Sequence, residues 1–275
     1  MSLSVNTNAG AMIALQYLNK TTSQLTTSQN HINSGLKIAT AKDNGAVFAI
    51  AQNMRGDVSA FHAVSDSLNR AVSSVDVAMN AGQAVSDLLV EMKGKAVAAS
   101  DPSLDTASRD ALAEDFDSLR DQVTNILDNA IFNGVNLVDG TSSSLTALVS
   151  ADGGSTITID GEDMSLGGSI VTISASATLS TAAAASTMIT TINTSLENVN
   201  AALARLGSKS KQVTIQNEFI GKLIDTLNEG IGNLVDADLA KESAMLQSLQ
   251  VKQQLGVQAL SIANSAPGIA LSLFR

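Results

Sequence analysis

The chain has 275 residues, of which 44% are hydrophobic and 3% aromatic, and it contains two prolines and no cysteine. The absence of cysteine excludes disulfides, a thiolate nucleophile and cysteine-ligated metal sites. A formal net charge of −10 argues against a nucleic-acid binder, whose affinity would come from a basic surface. Small aliphatic side chains and few prolines favour long, closely packed helices over the thick core of a compact enzyme.

The charged residues are concentrated in the middle of the chain. Residues 1–36 contain one charged side chain, Lys20, and residues 243–274 contain one, Lys252, whereas residues 46–230 carry a net charge of −12. Polar residues interrupt each apolar run at the two ends before it reaches the roughly 20 residues that a bilayer requires. We therefore expect no membrane-spanning helix. Because no signal-peptide pattern opens the sequence, we expect either an intracellular protein or one exported by another route.

The first predicted helix carries an apolar seam at alternating steps of three and four residues. The large aliphatic members of the seam are Leu15, Leu18, Leu25, Ile32 and Leu36. This heptad spacing predicts a coiled-coil-like helix that buries the seam against a partner. Glycines and polar residues over 35–45 predict a bend after the helix.

Three further helices are predicted in the middle of the chain. One covers about residues 46–100 and ends before Pro102, because the residue preceding a proline avoids the helical region. The next covers about residues 106–130, and Asp105 is its predicted N-terminal cap. The third covers about residues 181–229.

The segment 141–180 differs in composition from the rest of the chain. It contains sixteen Ser or Thr and five Gly residues, and no Lys or Arg. Alternating apolar and polar residues predict strands at 156–159 and 170–173, and Asp160-Gly161 predicts the turn of a hairpin. We interpret the segment as a small, exposed β-rich insertion.

The last helix, predicted over about residues 233–263, has two apolar seams. The first seam contains Leu239, Leu246, Leu249, Leu260 and Ala263, and the second contains Val251, Leu255 and Ile262. One partner helix cannot cover both seams. We therefore expect this helix to contact several neighbours, including other copies of the chain.

Together these elements predict a mainly α fold, with long antiparallel helices in an elongated rod and a small β-hairpin insertion near the middle of the chain. A helix of about 40 residues is about 60 Å long. The predicted domains are an inner terminal helical pair (1–43 and 233–275), an outer helical bundle (44–140 and 181–232) and the exposed insertion (141–180).

No pattern of catalytic or ligand-binding residues stands out. The usual nucleotide, zinc-protease, nucleophile-elbow and calcium-loop motifs do not occur. The densest group of carboxylates comprises Glu114, Asp115, Asp117 and Asp121. These could serve a divalent cation or acid–base chemistry, but we interpret them as the solvated face of a helix whose apolar residues point elsewhere. His31 and His62 have no partner at ligand spacing, so we expect no catalytic residue, cofactor or metal site.

Several sequence blocks in both halves of the chain resemble motifs of the bacterial flagellins. The blocks are Val5–Ala9, Ile32–Ile38, Ala41–Ala46 and Phe132–Leu137 in the N-terminal half, and Leu206–Ser208, Ile215–Asn217, Val235–Glu242, Gln253–Gly256 and Leu271–Arg275 in the C-terminal half. They occur in the family's order over about residues 1–140 and 181–275. The short insertion and the Phe-Arg ending look most like the flagellins of alphaproteobacteria.

This resemblance implies a structural subunit of the extracellular flagellar filament, a homopolymer that serves motility. It further implies export of the unfolded chain through the flagellar type III apparatus and polymerisation beneath a filament cap. Junction proteins and an export chaperone are implied as partners, whereas nucleic acid and membrane are not. In the family, the terminal helices pair as the inner tube of the filament and the insertion points outward.

Three other functions each fit part of the sequence. A hook–filament junction protein of the same superfamily would share the terminal helices. A flagellin with a protease insertion would need more than residues 141–180, which contain neither His nor Cys. A membrane-active helical protein would need a polar face rich in Lys or Arg, which the terminal helices lack.

Overall fold

The computed structural model describes residues 7–142 and 144–272. Over these described residues the chain forms five helices and four short strands. In chain order they are α1 (Ala9–Ser34), α2 (Gly45–Ala99), α3 (Thr106–Asp128), β1 (Ile131–Phe132), β2 (Val135–Asn136), β3 (Ser144–Leu148), β4 (Thr156–Asp160), α4 (Ala182–Val235) and α5 (Leu239–Ser272). The predicted fold class, mainly α with a small β-rich part, is confirmed.

The chain folds into two compact units. The terminal unit comprises residues 1–56 and 226–275, and the central unit comprises residues 57–225, so that α2 and α4 contribute residues to both. The sequence predicts its domain boundaries nearby, after residue 43 and before residue 233. The assignment of those ranges to inner and outer layers of a filament stays a prediction.

The terminal unit is built on the pairing of α1 with α5. Asn8 caps α1, because its side-chain oxygen accepts a hydrogen bond from the Ala11 N–H at 3.0 Å. Gly35 ends α1 with a φ of 71°, a left-handed conformation that glycine adopts without steric penalty. Beyond the helices, the Lys37 N–H donates to the Val235 carbonyl at 2.7 Å. The predicted terminal helical pair is thus confirmed.

Arg109 secures the connection between α2 and α3. Its guanidinium donates to the carbonyl of Ala99 at 3.0 Å and to that of Asp101 at 2.9 Å. These bonds satisfy carbonyl groups that the end of a helix leaves without helical partners. Asp105 then caps α3 by accepting the Ser108 N–H at 3.1 Å. The predicted helix end and the predicted cap are both confirmed.

The core of the central unit is formed by α2, α3 and α4 together with the segment between α3 and α4. Met92 of α2, Phe116 of α3 and Ile192 of α4 are each fully buried in it. Gly82 lets α2 and α4 approach closely, because a Cβ at this position would lie 2.8 Å from Cδ2 of Leu203. Close packing of long helices, as the composition predicts, is therefore present in this unit.

The strands of segment 141–180 differ from the prediction. β4 covers the first predicted strand, but its partner is β3, with Leu145 opposite Ile159. The predicted strand over 170–173 is wrong, and so is the predicted hairpin turn at 160–161. The hairpin turn lies earlier, between β3 and β4.

Side chains of α4 take the place of a neighbouring strand at 170–173. Ile170, Val171 and Ile173 are buried in the core, and the Thr172 N–H donates to Oγ of the buried Ser195 at 3.0 Å. The sequence predicts an exposed segment, whereas the structure buries many of its apolar side chains and leaves most of its Ser and Thr side chains at the surface.

The β1–β2 hairpin is not among the predicted elements. Its turn residues, Asn133 and Gly134, have φ values of 50° and 79°, the left-handed pair that a type I′ turn requires. Nδ2 of Asn136 donates to the Leu127 carbonyl at 2.6 Å, which attaches the hairpin to the end of α3. The Asn-Gly pair between short apolar runs is the signal that identifies this hairpin.

The last two helices extend beyond their predicted ends. α4 continues to Val235 instead of ending near residue 229, and α5 continues to Ser272 instead of ending near residue 263. Among the described residues, no helix combines the length and the apolar character that crossing a membrane requires.

Candidate self-assembly surface

α1 and α5 run antiparallel and lie close together. At one end of the pair, Nδ2 of Asn8 donates to the Ala263 carbonyl at 2.7 Å. Further along, Gly256 lies against Leu18, and a Cβ on Gly256 would be 3.3 Å from Cδ1 of Leu18. Small residues on α5 therefore allow the close approach of the two helices.

The residues predicted as self-assembly seams differ in exposure. Leu25 and Leu249 are buried, Leu18, Ile32, Leu246 and Leu260 are half-buried, and Leu15, Leu239, Val251, Leu255 and Ile262 are exposed. The pairing of α1 with α5 therefore covers one seam of each helix in part. The assignment of the exposed members to contacts between copies stays a prediction.

The second seam of α5 lies on the side of the helix that faces away from its buried residue Leu249. At 3.6 residues per turn, Val251, Leu255 and Ile262 fall within about 40° of one another and roughly 140° from Leu249. Their exposed fractions are 55%, 57% and 71%. We call these three residues the bare seam, since no part of the described chain covers them.

The structure adds exposed apolar residues that the heptad analysis misses. They are Met12, Ile13 and Tyr17 on α1 and Met245 and Val257 on α5. None of them occupies a predicted seam position. The near absence of charge on both helices is the signal that could have identified them. Charged residues usually indicate which face of a helix meets solvent, and neither helix has such a face.

This apolar surface of the terminal unit is suited to burial against other chains. Contiguous exposed apolar residues mark interaction sites. Burying a Leu or Val side chain that was fully exposed contributes about 1.5–3 kcal/mol. The near absence of charge on the terminal helices means that few ions would have to be desolvated in such a contact.

Three of the four clustered carboxylates of α3, Asp115, Asp117 and Asp121, form ion pairs. Asp115 pairs with Lys95 at 2.5 Å, and Asp117 pairs with Arg120 at 2.7 Å. The Arg120 guanidinium also donates to the Ala177 carbonyl at 2.7 Å, which joins α3 to the segment before α4. Within the described ranges, no three His, Asp or Glu side chains are grouped as the ligands of a metal ion would be.

Comparisons with known proteins match both helical ends of the chain. Residues 5–143 match the bacterial flagellin N-terminal helical region, and residues 189–274 match the bacterial flagellin C-terminal helical region. The chain is 56% identical to flagellin FljK of Caulobacter vibrioides over 272 residues, which cover 99% of this chain and 98% of that protein. It is 35% identical to a flagellin of Brucella melitensis over 281 aligned positions, covering 99% of each chain.

One solved structure shares the fold. It comes from Vibrio parahaemolyticus and is described as that of a flagellar hook-associated protein. The likeness has a TM-score of 0.60 at 14% sequence identity, and it covers 70% of this chain and 100% of that chain. At this identity the likeness concerns the fold alone.

Proposed function

Because this chain belongs to the bacterial flagellin family, we propose that its terminal unit is the part through which copies of this filament subunit pack against one another. A flagellin is a structural protein of the extracellular flagellar filament and not an enzyme. The bare seam carries the proposal, because it leaves three large aliphatic side chains of α5 in solvent while Leu249 of that helix is buried. In a homopolymer, a second copy is the partner that covers it.

The charge distribution supports a radial arrangement of the chain in the filament. In this arrangement, residues 1–43 and 233–275 form the inner tube, where an unpaired charge would be costly to bury. Residues 44–140 and 181–232 surround that tube, and residues 141–180 point outward. The net charge of −12 over 46–230 then lies in the layers that meet solvent.

We further propose an export route and partner contacts, which the family membership supports. The chain passes unfolded through the flagellar type III apparatus and adds to the filament beneath a cap, with junction proteins and an export chaperone as further partners. The absence of cysteine is compatible with this route, because no disulfide has to be broken before export. A hook–filament junction role is less favoured, since the identity to flagellins extends over 99% of the chain.

Removal of residues 256–275 is expected to abolish polymerisation while the central unit stays folded. The truncation deletes Ile262 of the bare seam and the Ala263 carbonyl that holds the start of α1. The measurement is the elongation of sonicated filament seeds, observed by electron microscopy, with thermal unfolding as the control for folding. Long filaments grown from the truncated chain would contradict the proposal, and a full-length chain that only caps the seeds would indicate a junction protein.

The terminal helices are expected to gain protection from hydrogen exchange when the subunit polymerises. In the free subunit, the amides of α1 and α5 should exchange rapidly, because much of the apolar surface of these helices lacks a partner. In the filament the same amides should become protected, whereas the core helices of the central unit should be protected in both states. Slowly exchanging terminal amides in the free subunit would contradict this expectation.

A further inference from the structure

A cluster of three polar side chains interrupts the apolar contact between α1 and α5. Oγ of Ser28, a residue only 3% exposed, donates to Oε2 of Glu242 at 2.6 Å. Nδ1 of His31 donates to the other carboxylate oxygen, Oε1, at 3.1 Å. The side chains of His31 and Glu242 are 17% and 21% exposed. Both oxygens of Glu242 therefore have a partner on the opposite helix.

The cluster joins helix ends of opposite polarity. Glu242 lies in the first turn of α5, where a negative charge is favoured, and His31 lies in the last turn of α1, where a positive charge is favoured. Hydrogen bonds from Ser28 and then His31 hold the pKa of Glu242 below its ordinary value, and the charge of the neighbouring Lys241 adds to the effect. Asp43, in the turn after α1, also faces the charge of His31.

The apolar contacts of the pair do not by themselves define how α5 is placed along α1. Leu18, Leu25 and Ile32 repeat at seven residues on α1, and Leu239 and Leu246 repeat at seven on α5. A slip of one heptad would therefore place leucines opposite leucines again. The same slip would place Ser28 opposite Leu249, which lies seven residues after Glu242. The largely buried carboxylate of Glu242 would then lose both of its hydrogen-bond partners.

We propose that Glu242, held by Ser28 and His31, is a positioning residue that fixes the register in which α5 pairs with α1 in the assembled filament. A polar residue within an apolar helix contact is known to specify register in this way. The proposal rests on the proposed function, because it assigns the cluster a role in the same helix pair that forms the polymer.

Disulfide cross-linking can report the register, because the chain contains no cysteine of its own. The first reporter combines Gly10→Cys with Ala263→Cys, since a Cβ at Gly10 would lie 4.0 Å from Cβ of Ala263, within the range for a disulfide. The second reporter combines Tyr17→Cys with Ala263→Cys and detects the slip of one heptad that places Ser28 opposite Leu249, because Tyr17 lies seven residues after Gly10. Filaments grown from seeds are oxidised, and the intramolecular cross-link is measured on non-reducing gels.

Replacement Glu242→Leu is expected to lower the ratio of native to slipped cross-link by about tenfold or more. Glu242→Gln keeps hydrogen-bonding atoms and should retain most of the native ratio. Glu229→Leu removes an exposed carboxylate of the same unit and serves as the matched control, which should leave the ratio unchanged. If Glu242→Leu does not assemble, Ser28→Ala provides the second test, with a smaller shift in the same direction.

The pH profile separates this role from simple packing. Since the pKa of Glu242 is lowered in the folded pair, its contribution is present at neutral pH and is lost as the pH falls through that lowered pKa. The ratio of native to slipped cross-link should therefore fall in acid for the parent filament and change less for Glu242→Gln. The proposal would be overturned if Glu242→Leu and Ser28→Ala both left the ratio of native to slipped cross-link unchanged. It would also be overturned if this ratio depended on pH in the same way in the parent and in Glu242→Gln. Failure of the parent chain to elongate seeds would instead count against the proposed function.

Discussion

Replacement Leu255→Asp is expected to abolish seeded polymerisation and to leave the unfolding of the free subunit unchanged. Leu255 is 57% exposed in the single chain, so a carboxylate there remains in water and stability should change by no more than about 0.5 kcal/mol. In the polymer the same carboxylate would be buried without a partner, at a cost of several kcal/mol. Since each step of about 1.4 kcal/mol is tenfold, the critical concentration should rise by about a hundredfold or more.

The matched control is Leu255→Met, which conserves volume and apolar character. This variant should elongate seeds at nearly the rate of the parent chain. The measurement is the concentration of unpolymerised subunit that remains in equilibrium with filaments, obtained by sedimentation. Filaments of Leu255→Asp with a critical concentration within threefold of the parent, roughly the effect of a weak surface contact, would show that the bare seam meets solvent in the polymer.

Local sequence signals predict the helices and several of their ends. Asp105 caps α3 and α2 ends before Pro102, because caps and prolines act within a few residues of the position they control. The strand predicted at 170–173 is wrong because the contacts of this segment are made by residues distant in the sequence. Its alternating residues pack on α4, and Ser195, more than twenty residues later in the sequence, supplies the hydrogen bond that a strand would supply.

The candidate surface is predictable in part, because the spacing of apolar residues along one helix is a local signal. Heptad spacing identifies Leu255 and Ile262 as apolar seam positions, and the structure places both on an uncovered side of α5. The cluster of Ser28, His31 and Glu242 is not predictable from spacing, since Glu242 lies more than 200 residues after the other two in the chain. Only the antiparallel pairing of α1 with α5 brings these three polar side chains into contact.

Replacement Phe116→Ala is expected to destabilise the central unit by about 3–5 kcal/mol, the second large effect. Phe116 is fully buried, and it belongs to the core that α2, α3 and α4 share. Aromatic residues make up only 3% of the chain, so the core consists mainly of small aliphatic residues that leave a cavity when this ring is removed. The measurement is the free energy of unfolding of the free subunit in urea.

The control for this variant lies two residues away on the same helix. Glu114 is exposed, so Glu114→Ala should change the free energy of unfolding by no more than about 0.5 kcal/mol. A loss below about 1 kcal/mol for Phe116→Ala would mean that the neighbouring helices collapse into the space, contrary to the close packing that Gly82 indicates. Because total stability of a domain is only about 5–15 kcal/mol, the expected loss would leave a subunit that unfolds far more readily before it can add to a filament.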